Sequence, residues 1–301
     1  MKLKPEILEQ IKEKIGAENV FEEEPMSAHT SMEVGGPAAY LFQPETKEAA
    51  AFLLQVLQKE NYPFYVKGNG SNLIVHDEGY EGAIIEMMKM NQISVDGNFL
   101  TAECGAMLKD ISAKAVEASL SGFEFASGIP GSLGGAITMN AGAYDGEMKD
   151  IVKEVTLMDK AGNILVKKNE EMDFSYRHSM CSDGDYLVLQ AKFKLEKGDP
   201  QKIQEKIDDL SARRKEKQPL EYPSCGSTFK RPEGYFAGKL ITDAGLKGYC
   251  HGGAAVSDKH AGFIINKDHA TATEVLELIS YVQEEVKEQF GVELKCEVKI
   301  I

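Results

Sequence analysis

The sequence predicts an α+β protein. Segments of helical period alternate with strands, an antiparallel meander occupies the middle of the chain, and two glycine-rich loops lie beside short apolar runs. With 301 residues and 43% hydrophobic content, the chain can bury a substantial core, and its length fits two or three domains.

Leu8, Ile11 and Ile15 mark an N-terminal amphipathic helix. Pro44-Glu-Thr-Lys leads into a second helix over Ala49–Gln58, with Phe52, Leu53, Val56 and Leu57 at helical spacing and Asn61-Tyr-Pro63 as its stop. A short strand, Phe64-Tyr-Val66, runs into Gly68-Asn-Gly-Ser-Asn72 and then into the apolar Leu73-Ile-Val75. A helix around Leu108 to Ala118 ends near Gly122 and is followed by Gly128-Ile-Pro-Gly-Ser-Leu-Gly-Gly135. From Ile151 to Leu195 the pattern is a strand meander with a turn at Lys160-Ala-Gly-Asn163. Ile203, Ile207 and Leu210 share one face of a helix that ends near Gln218-Pro219. Thr271-x-x-Glu274 is a capping-box signature for a helix with Val275, Leu278, Ile279 and Val282 inward, stopping at Gly291. A last strand is expected over 292–300, with Val292, Leu294, Cys296, Val298 and Ile300 on one face and Glu293, Lys295, Glu297 and Lys299 on the other.

A formal net charge of −14 makes the surface repel nucleic acid and anionic lipid, so an anionic ligand needs a local basic site. Five widely spaced cysteines, with no C-x-x-C pair and no histidine at metal-ligand spacing, fit a reduced cytosolic setting and give no metal site. The opening Met1-Lys-Leu-Lys-Pro-Glu is not a signal-peptide core, and no stretch approaches the roughly 20 apolar residues of a membrane helix. The expectation is a cytoplasmic protein that binds a small molecule and neither nucleic acid nor membrane; oligomeric state is not legible.

Gly68-x-Gly70 lacks the third glycine of a Rossmann fingerprint, and an apolar run rather than a helix follows it. Glycines between two strands let successive N–H groups form an anion nest suited to a pyrophosphate; a plain tight turn is the alternative. In the second loop four glycines and Pro130 fall within eight residues, more than one turn requires. Backbone brought close to a ligand is one explanation, and turns clustered around a bulge are the other.

These two segments, with Met139-Asn-Ala-Gly-Ala-Tyr144, resemble the FAD-cradling segments of the UDP-N-acetylenolpyruvoylglucosamine reductase family. Ser175-Tyr-Arg-His-Ser179, Gly226-Ser-Thr-Phe-Lys-Arg-Pro232, Ala237-Gly-Lys-Leu-Ile241, Ala244-Gly-Leu-Lys-Gly248 and Cys296-Glu-Val298 match in the same order. The resemblance implies a two-lobed FAD-binding module of the vanillyl-alcohol-oxidase/p-cresol-methylhydroxylase type over 1–75 and 76–200. A C-terminal α+β substrate-binding domain over 201–301 is implied beside it. The chain resembles the shorter, second form of the family, because no insertion carries the longer form's substrate-covering tyrosine loop. FAD would be held non-covalently by Gly68, Asn69, Gly70, Ser71, Asn72 and Leu73, by Gly128, Ile129, Pro130, Gly131, Ser132 and Gly135, and by Asn140, Ala141 and Gly142.

The implied reaction is NADPH-dependent reduction of UDP-N-acetylglucosamine enolpyruvate to UDP-N-acetylmuramate, for bacterial peptidoglycan synthesis. Hydride addition to the outer enolpyruvyl carbon leaves an enolate that must be stabilised and protonated. Arg177 matches the family's arginine, whose fork can hold the carboxylate; the bland reading is a surface arginine beside Phe174 and Tyr176. Ser227 matches the proton donor, with Ser224 and Cys225 as neighbouring rivals. Glu297 matches the family's carboxylate and is expected to be protonated or paired with Arg177, although strand alternation fits solvent exposure equally well.

Eight Lys or Arg face only four acids between Arg213 and Lys247. Lys230, Arg231 and Lys239 are the first candidates for the substrate diphosphate, while Arg213 to Lys217 could simply end a helix. Two other functions fit the glycine loops: an alcohol oxidase of the same flavin superfamily, tethered through His29 or His76, and a non-catalytic nucleotide-sugar or flavin binder.

Overall fold

The computed structural model describes residues 2–301 and divides the chain into two compact units, each discontinuous in sequence. The first takes the chain up to Glu22, Tyr40–Asn69 and Gly82–Arg213; the second takes Glu23–Ala39, Gly70–Glu81 and Arg214–Ile301. The functional blocks expected from the sequence, 1–75, 76–200 and 201–301, are a separate division from these compact units.

In the first unit, Pro5 opens the Pro5–Ile15 helix at a position where its missing N–H costs nothing, and Leu8, Ile11 and Ile15 are buried. This helix packs against Lys47–Lys59, which Thr46 caps by accepting the N–H of Ala49. The Phe64–Lys67 and Tyr80–Glu86 strands form a parallel pair. Its parallel register sets Phe64 opposite Ala83 and Lys67 opposite Glu86.

The meander forms a five-stranded antiparallel sheet, ordered Ile164–Lys168, Val152–Asp159, Tyr186–Lys194, Phe99–Glu103, Ile93–Asp96. The expected turn is present: Asp159 N–H reaches Asn163 O at 3.0 Å and Gly162 N–H reaches Asp159 O at 3.0 Å. Val155, Leu157, Ala191, Phe193, Leu100 and Ala102 are buried, whereas Ile164 and Val166 stand exposed on the edge strand. The second glycine segment continues into a short helix, Leu133–Thr138, which packs on the Tyr186–Lys194 strand; periodicity did not announce it. Gly134 lets the same helix come close to the end of the Phe99–Glu103 strand, since a Cβ there would meet Cys104 Cβ at 3.1 Å.

The second unit packs the Ala272–Phe290 helix on a three-stranded sheet of Cys250–His251, Ala254–Val256 and Ile264–Asn266. Its core draws in Met32, Val34 and Ile74 from the two earlier segments. The helix start is fully hydrogen-bonded. Thr271 and Glu274 form the expected capping box, and the Asp77 carboxylate accepts the N–H groups of Ala272 and Thr273, each at 2.8 Å. Gly291 ends it in the left-handed conformation, φ 68°.

The expected strand over 292–300 is corrected. Only Lys299–Ile300 is a strand, pairing in parallel with Leu73–Ile74, and Cys296 makes an isolated bridge to Phe229. Leu294 and Val298 are buried as the alternation requires, but Ile300 is 41% exposed, because the chain bends at Val298 and the period breaks there.

Candidate active site

The two glycine segments meet in the first unit. Asn69 Nδ2 donates to Pro130 O at 2.8 Å, and a Cβ on Gly68 would lie 2.0 Å from Ser132 Oγ. Only glycine lets Gly68 sit this close to Ser132. Ser132 is buried, and its Oγ has no hydrogen-bond partner among the described residues. Among those residues, no hydrogen bond takes up the backbone N–H of Asn69, Gly70, Ser71 or Asn72. In the first unit, the buried orphan hydroxyl of Ser132 and the unused N–H of Asn69 are what a bound phosphate would satisfy, so this part of the chain fits a dinucleotide cofactor. Not every amide of the second segment contributes: Leu133 N–H goes to Ala106 O and Gly134 N–H to Cys104 O. Within 128–131, Ile129 N–H bonds Ala126 O, and Gly131 O accepts Leu108 N–H.

A buried ion pair that sequence reasoning missed lies under this loop. Lys67 Nζ pairs with Glu86, its partner across the parallel strands, and also donates to Gly68 O at 3.0 Å. Gln43 Nε2 holds the second Glu86 oxygen at 2.6 Å. Burial pulls the Lys67 ammonium below the ordinary lysine value, against the opposing pull of Glu86.

Arg177, also in the first unit, is half-buried at the tip of a two-residue turn, with Ser175 and His178 exchanging both backbone hydrogen bonds. Its φ is 55°, and its guanidinium stands 5.2 Å from the Tyr176 ring centroid. Asn140 lies beneath this turn, buried, with φ 44°. Its Nδ2 donates to Ser175 O at 3.0 Å and Glu147 Oε2 at 2.6 Å; its Oδ1 accepts Lys149 N–H at 2.9 Å. The Asn140 side-chain amide is engaged within the protein, and its backbone N–H goes to Ile137 O. Ala141 is buried, and Gly142 begins a hairpin whose turn residues, Tyr144 and Asp145, both have positive φ.

The segments that carry Ser227 and Glu297 pair in the second unit. Glu297 N–H donates to Thr228 O at 2.8 Å, Phe229 bridges Cys296, and Lys230 N–H reaches Lys295 O at 2.8 Å, so 228–230 and 295–297 pair antiparallel. Ser227 is exposed and follows Gly226, whose φ is 73°; Glu297 is half-buried. Asn72 Nδ2 donates to Glu297 O at 3.1 Å, and Lys299 N–H reaches Asn72 O at 3.0 Å, so the end of the first glycine segment anchors the carboxylate's backbone. Of the rivals to Ser227, Cys225 is buried, with its thiol pushed up to about 12 by burial; Ser224 bridges Ile265.

The three candidate phosphate ligands are dispersed in role. Lys230 is half-buried beside the Glu297 segment. The Arg231 guanidinium stacks 4.0 Å from the Phe236 ring centroid, and exposed Lys239 pairs with Asp243 at 2.7 Å. Arg213 pairs with Asp209 at 2.8 Å within the helix, and Arg214 is buried. His29, one of the two tether candidates, holds Glu24 at 2.9 Å. Among the described residues there is no cluster of His, Cys, Asp or Glu suited to a metal, and no helix long and apolar enough to cross a membrane.

Comparison with known proteins ties these sites to one family. The chain is 50% identical over 295 residues to the UDP-N-acetylenolpyruvoylglucosamine reductase of Caldanaerobacter subterraneus subsp. tengcongensis, covering 98% of each. It is 52% identical over 284 residues to that of Clostridium perfringens, covering 94% of this chain and 93% of the relative. The chain belongs to the UDP-N-acetylenolpyruvoylglucosamine reductase family. The family's C-terminal domain profile matches residues 218–301, where Ser227 and Glu297 lie. An FAD-binding domain profile matches residues 38–167, which include both glycine segments. The crystal structure of the family member from Thermus caldophilus superposes with a TM-score of 0.78 at 35% identity, over 92% of this chain and 97% of that one. A looser likeness to an alkyldihydroxyacetonephosphate synthase, TM-score 0.52 at 18% identity over 65% of this chain and 40% of that one, shows the shared fold alone. The α+β class, with an FAD-binding module and a family-specific C-terminal domain, is thus as expected.

Proposed function

We propose that this chain reduces UDP-N-acetylglucosamine enolpyruvate to UDP-N-acetylmuramate in cytoplasmic peptidoglycan precursor synthesis, using non-covalent FAD and NADPH. The observation that carries this reading is the likeness to named reductases along nearly the whole chain, both cradle and C-terminal site included. Bound FAD supplies hydride transfer, accepting from reduced nicotinamide and delivering to the outer enolpyruvyl carbon.

The chain's own residues carry the rest. The Asn69 N–H and the orphan Ser132 hydroxyl, both in the first unit, would hold the cofactor's phosphates. Arg177 binds the substrate carboxylate as a two-point fork, where charge develops when the carbon–carbon double bond takes up hydride. Ser227 then gives its Oγ proton to the carbon bearing the carboxylate, and solvent restores it. A serine is a weak acid, so its contribution is placement, which the backbone pairing of 228–230 with 295–297 provides. Glu297 is the proposed carboxylate of the proton path. Lys230, Arg231 and Lys239 are the proposed diphosphate ligands.

Turnover in D2O with NADPH tests the reading. The expected product is UDP-N-acetylmuramate carrying one solvent deuterium on the carbon next to the carboxylate. Untouched enolpyruvyl substrate, or oxygen consumption with an alcohol instead, would overturn it.

A further inference from the structure

We infer that Asn140 is a positioning residue for Arg177, so that the second glycine segment sets the geometry of the enolate-binding guanidinium. The inference rests on the proposed role of Arg177 and extends it to a residue expected to contact the cofactor.

The argument starts from backbone strain. Arg177 occupies φ 55°, a left-handed conformation that costs a long side chain about 1 kcal/mol or more, so the surroundings must impose it. Hydrogen bonds from the glycine-rich side hold the turn at both ends. Before it, Asn140 Nδ2 donates to Ser175 O at 3.0 Å. After it, Ser179 Oγ and Ser182 Oγ donate to Thr138 O at 2.7 and 3.0 Å. Thr138 ends the short helix that follows the glycines, and Asn140 lies two residues beyond it. Asn140 is itself fixed by Glu147 and Lys149 and is 1% exposed. Removing its amide leaves Ser175 O without that donor and frees the near end of the turn, while the cradle contacts of Asn69, Gly68 and Ser132 stay in place.

The test is made on the FAD-loaded protein. Asn140→Gly removes the amide and tolerates positive φ, so it loosens the turn without adding strain. Asn140→Asp keeps the size and tolerates that φ, but when ionised it loses the donors to both Ser175 O and Glu147 and sets a carboxylate against the Glu147 carboxylate. Both are expected to slow reduction of the bound FAD by NADPH far less than its reoxidation by the substrate. Reoxidation by the enolpyruvyl substrate should slow roughly 30- to 100-fold, as expected for a displaced catalytic group. The amides of Ser175 and His178 should lose hydrogen-exchange protection. In an Arg177→Ala background, Asn140→Gly should slow reoxidation by less than about threefold more, because its effect passes through the missing side chain. Equal slowing of both half-reactions, loss of FAD by both variants, or full additivity with Arg177→Ala would overturn the inference. If Arg177→Ala itself leaves reoxidation unchanged, the proposed role of Arg177 fails; if only the Asn140 variants do so, the inference alone fails.

Discussion

Gly68→Ala puts a single methyl where the two glycine segments touch. Gly68 does not have positive φ, so alanine brings no backbone strain, and the whole effect is steric. The new Cβ would lie 2.0 Å from Ser132 Oγ but 3.3 Å from Ser132 Cβ, so the clash is with one oxygen on a buried side chain. Turning that hydroxyl off its rotamer costs about 0.5–1.5 kcal/mol, and forcing the segments apart costs about 1–3 kcal/mol. Both displace the groups assigned to the cofactor phosphates, so FAD affinity should fall roughly 10- to 100-fold. Ser132→Ala removes the offending atom and leaves the tolerable 3.3 Å contact. The double variant Gly68→Ala/Ser132→Ala should therefore bind FAD about as well as Ser132→Ala alone, a strongly non-additive result. Equilibrium dialysis or flavin fluorescence reads the affinities, with urea unfolding of the apoprotein as a control for global damage. Unchanged FAD binding in Gly68→Ala, or simple additivity in the double variant, would refute the argument that these segments form the cradle by close approach.

Ser227→Ala should leave NADPH-dependent flavin reduction intact and slow substrate reduction by roughly 10²–10⁴-fold, as rapid-mixing half-reactions can show; equal damage to both would make the serine structural. Lys67→Met should destabilise the fold by roughly 3–5 kcal/mol in urea, because it strands buried Glu86, while Lys67→Met/Glu86→Leu should recover most of the loss; a single variant as stable as the parent contradicts this. Asp77→Ala should cost about 1 kcal/mol by removing acceptors from the start of the Ala272–Phe290 helix. Burial raises the Asp77 carboxyl, but hydrogen bonds from Thr273 and Ala272 outweigh it and hold the group below its ordinary value. A depressed folded pKa contributes stability above the ordinary carboxylate range that is lost as pH falls through the folded value, so the gap between parent and variant should close in acid; a gap that widens in acid contradicts the assignment.

Local chemistry was legible where it is written locally. The Ala272–Phe290 helix begins at Thr271, carries its Glu274 box and stops at Gly291, all read from residue types at fixed offsets. The meander and its Lys160–Asn163 turn were legible for the same reason. Partners far along the chain were not. Lys67 and Glu86 pair because two parallel strands set them opposite one another, a register that neither strand's composition announces. The 139–144 motif marks Asn140 as a cofactor contact, and it announces neither the burial of that residue nor its bond to a carbonyl 35 residues away. The 292–300 alternation identified the core-facing Leu294 and Val298, but not the bend at Val298, where the chain leaves its pairing with 228–230 and joins Leu73–Ile74. Asp77 lies 195 residues before the Ala272 amide it accepts from, beyond the reach of any capping signature.

Anaerobic mixing of the reduced, FAD-loaded protein with UDP-N-acetylglucosamine enolpyruvate addresses the central claim most directly. The prediction is stoichiometric flavin reoxidation with formation of UDP-N-acetylmuramate, greatly slowed in Arg177→Ala. A flavin that stays reduced in the presence of the nucleotide sugar, or that reoxidises equally fast without Arg177, would contradict the account.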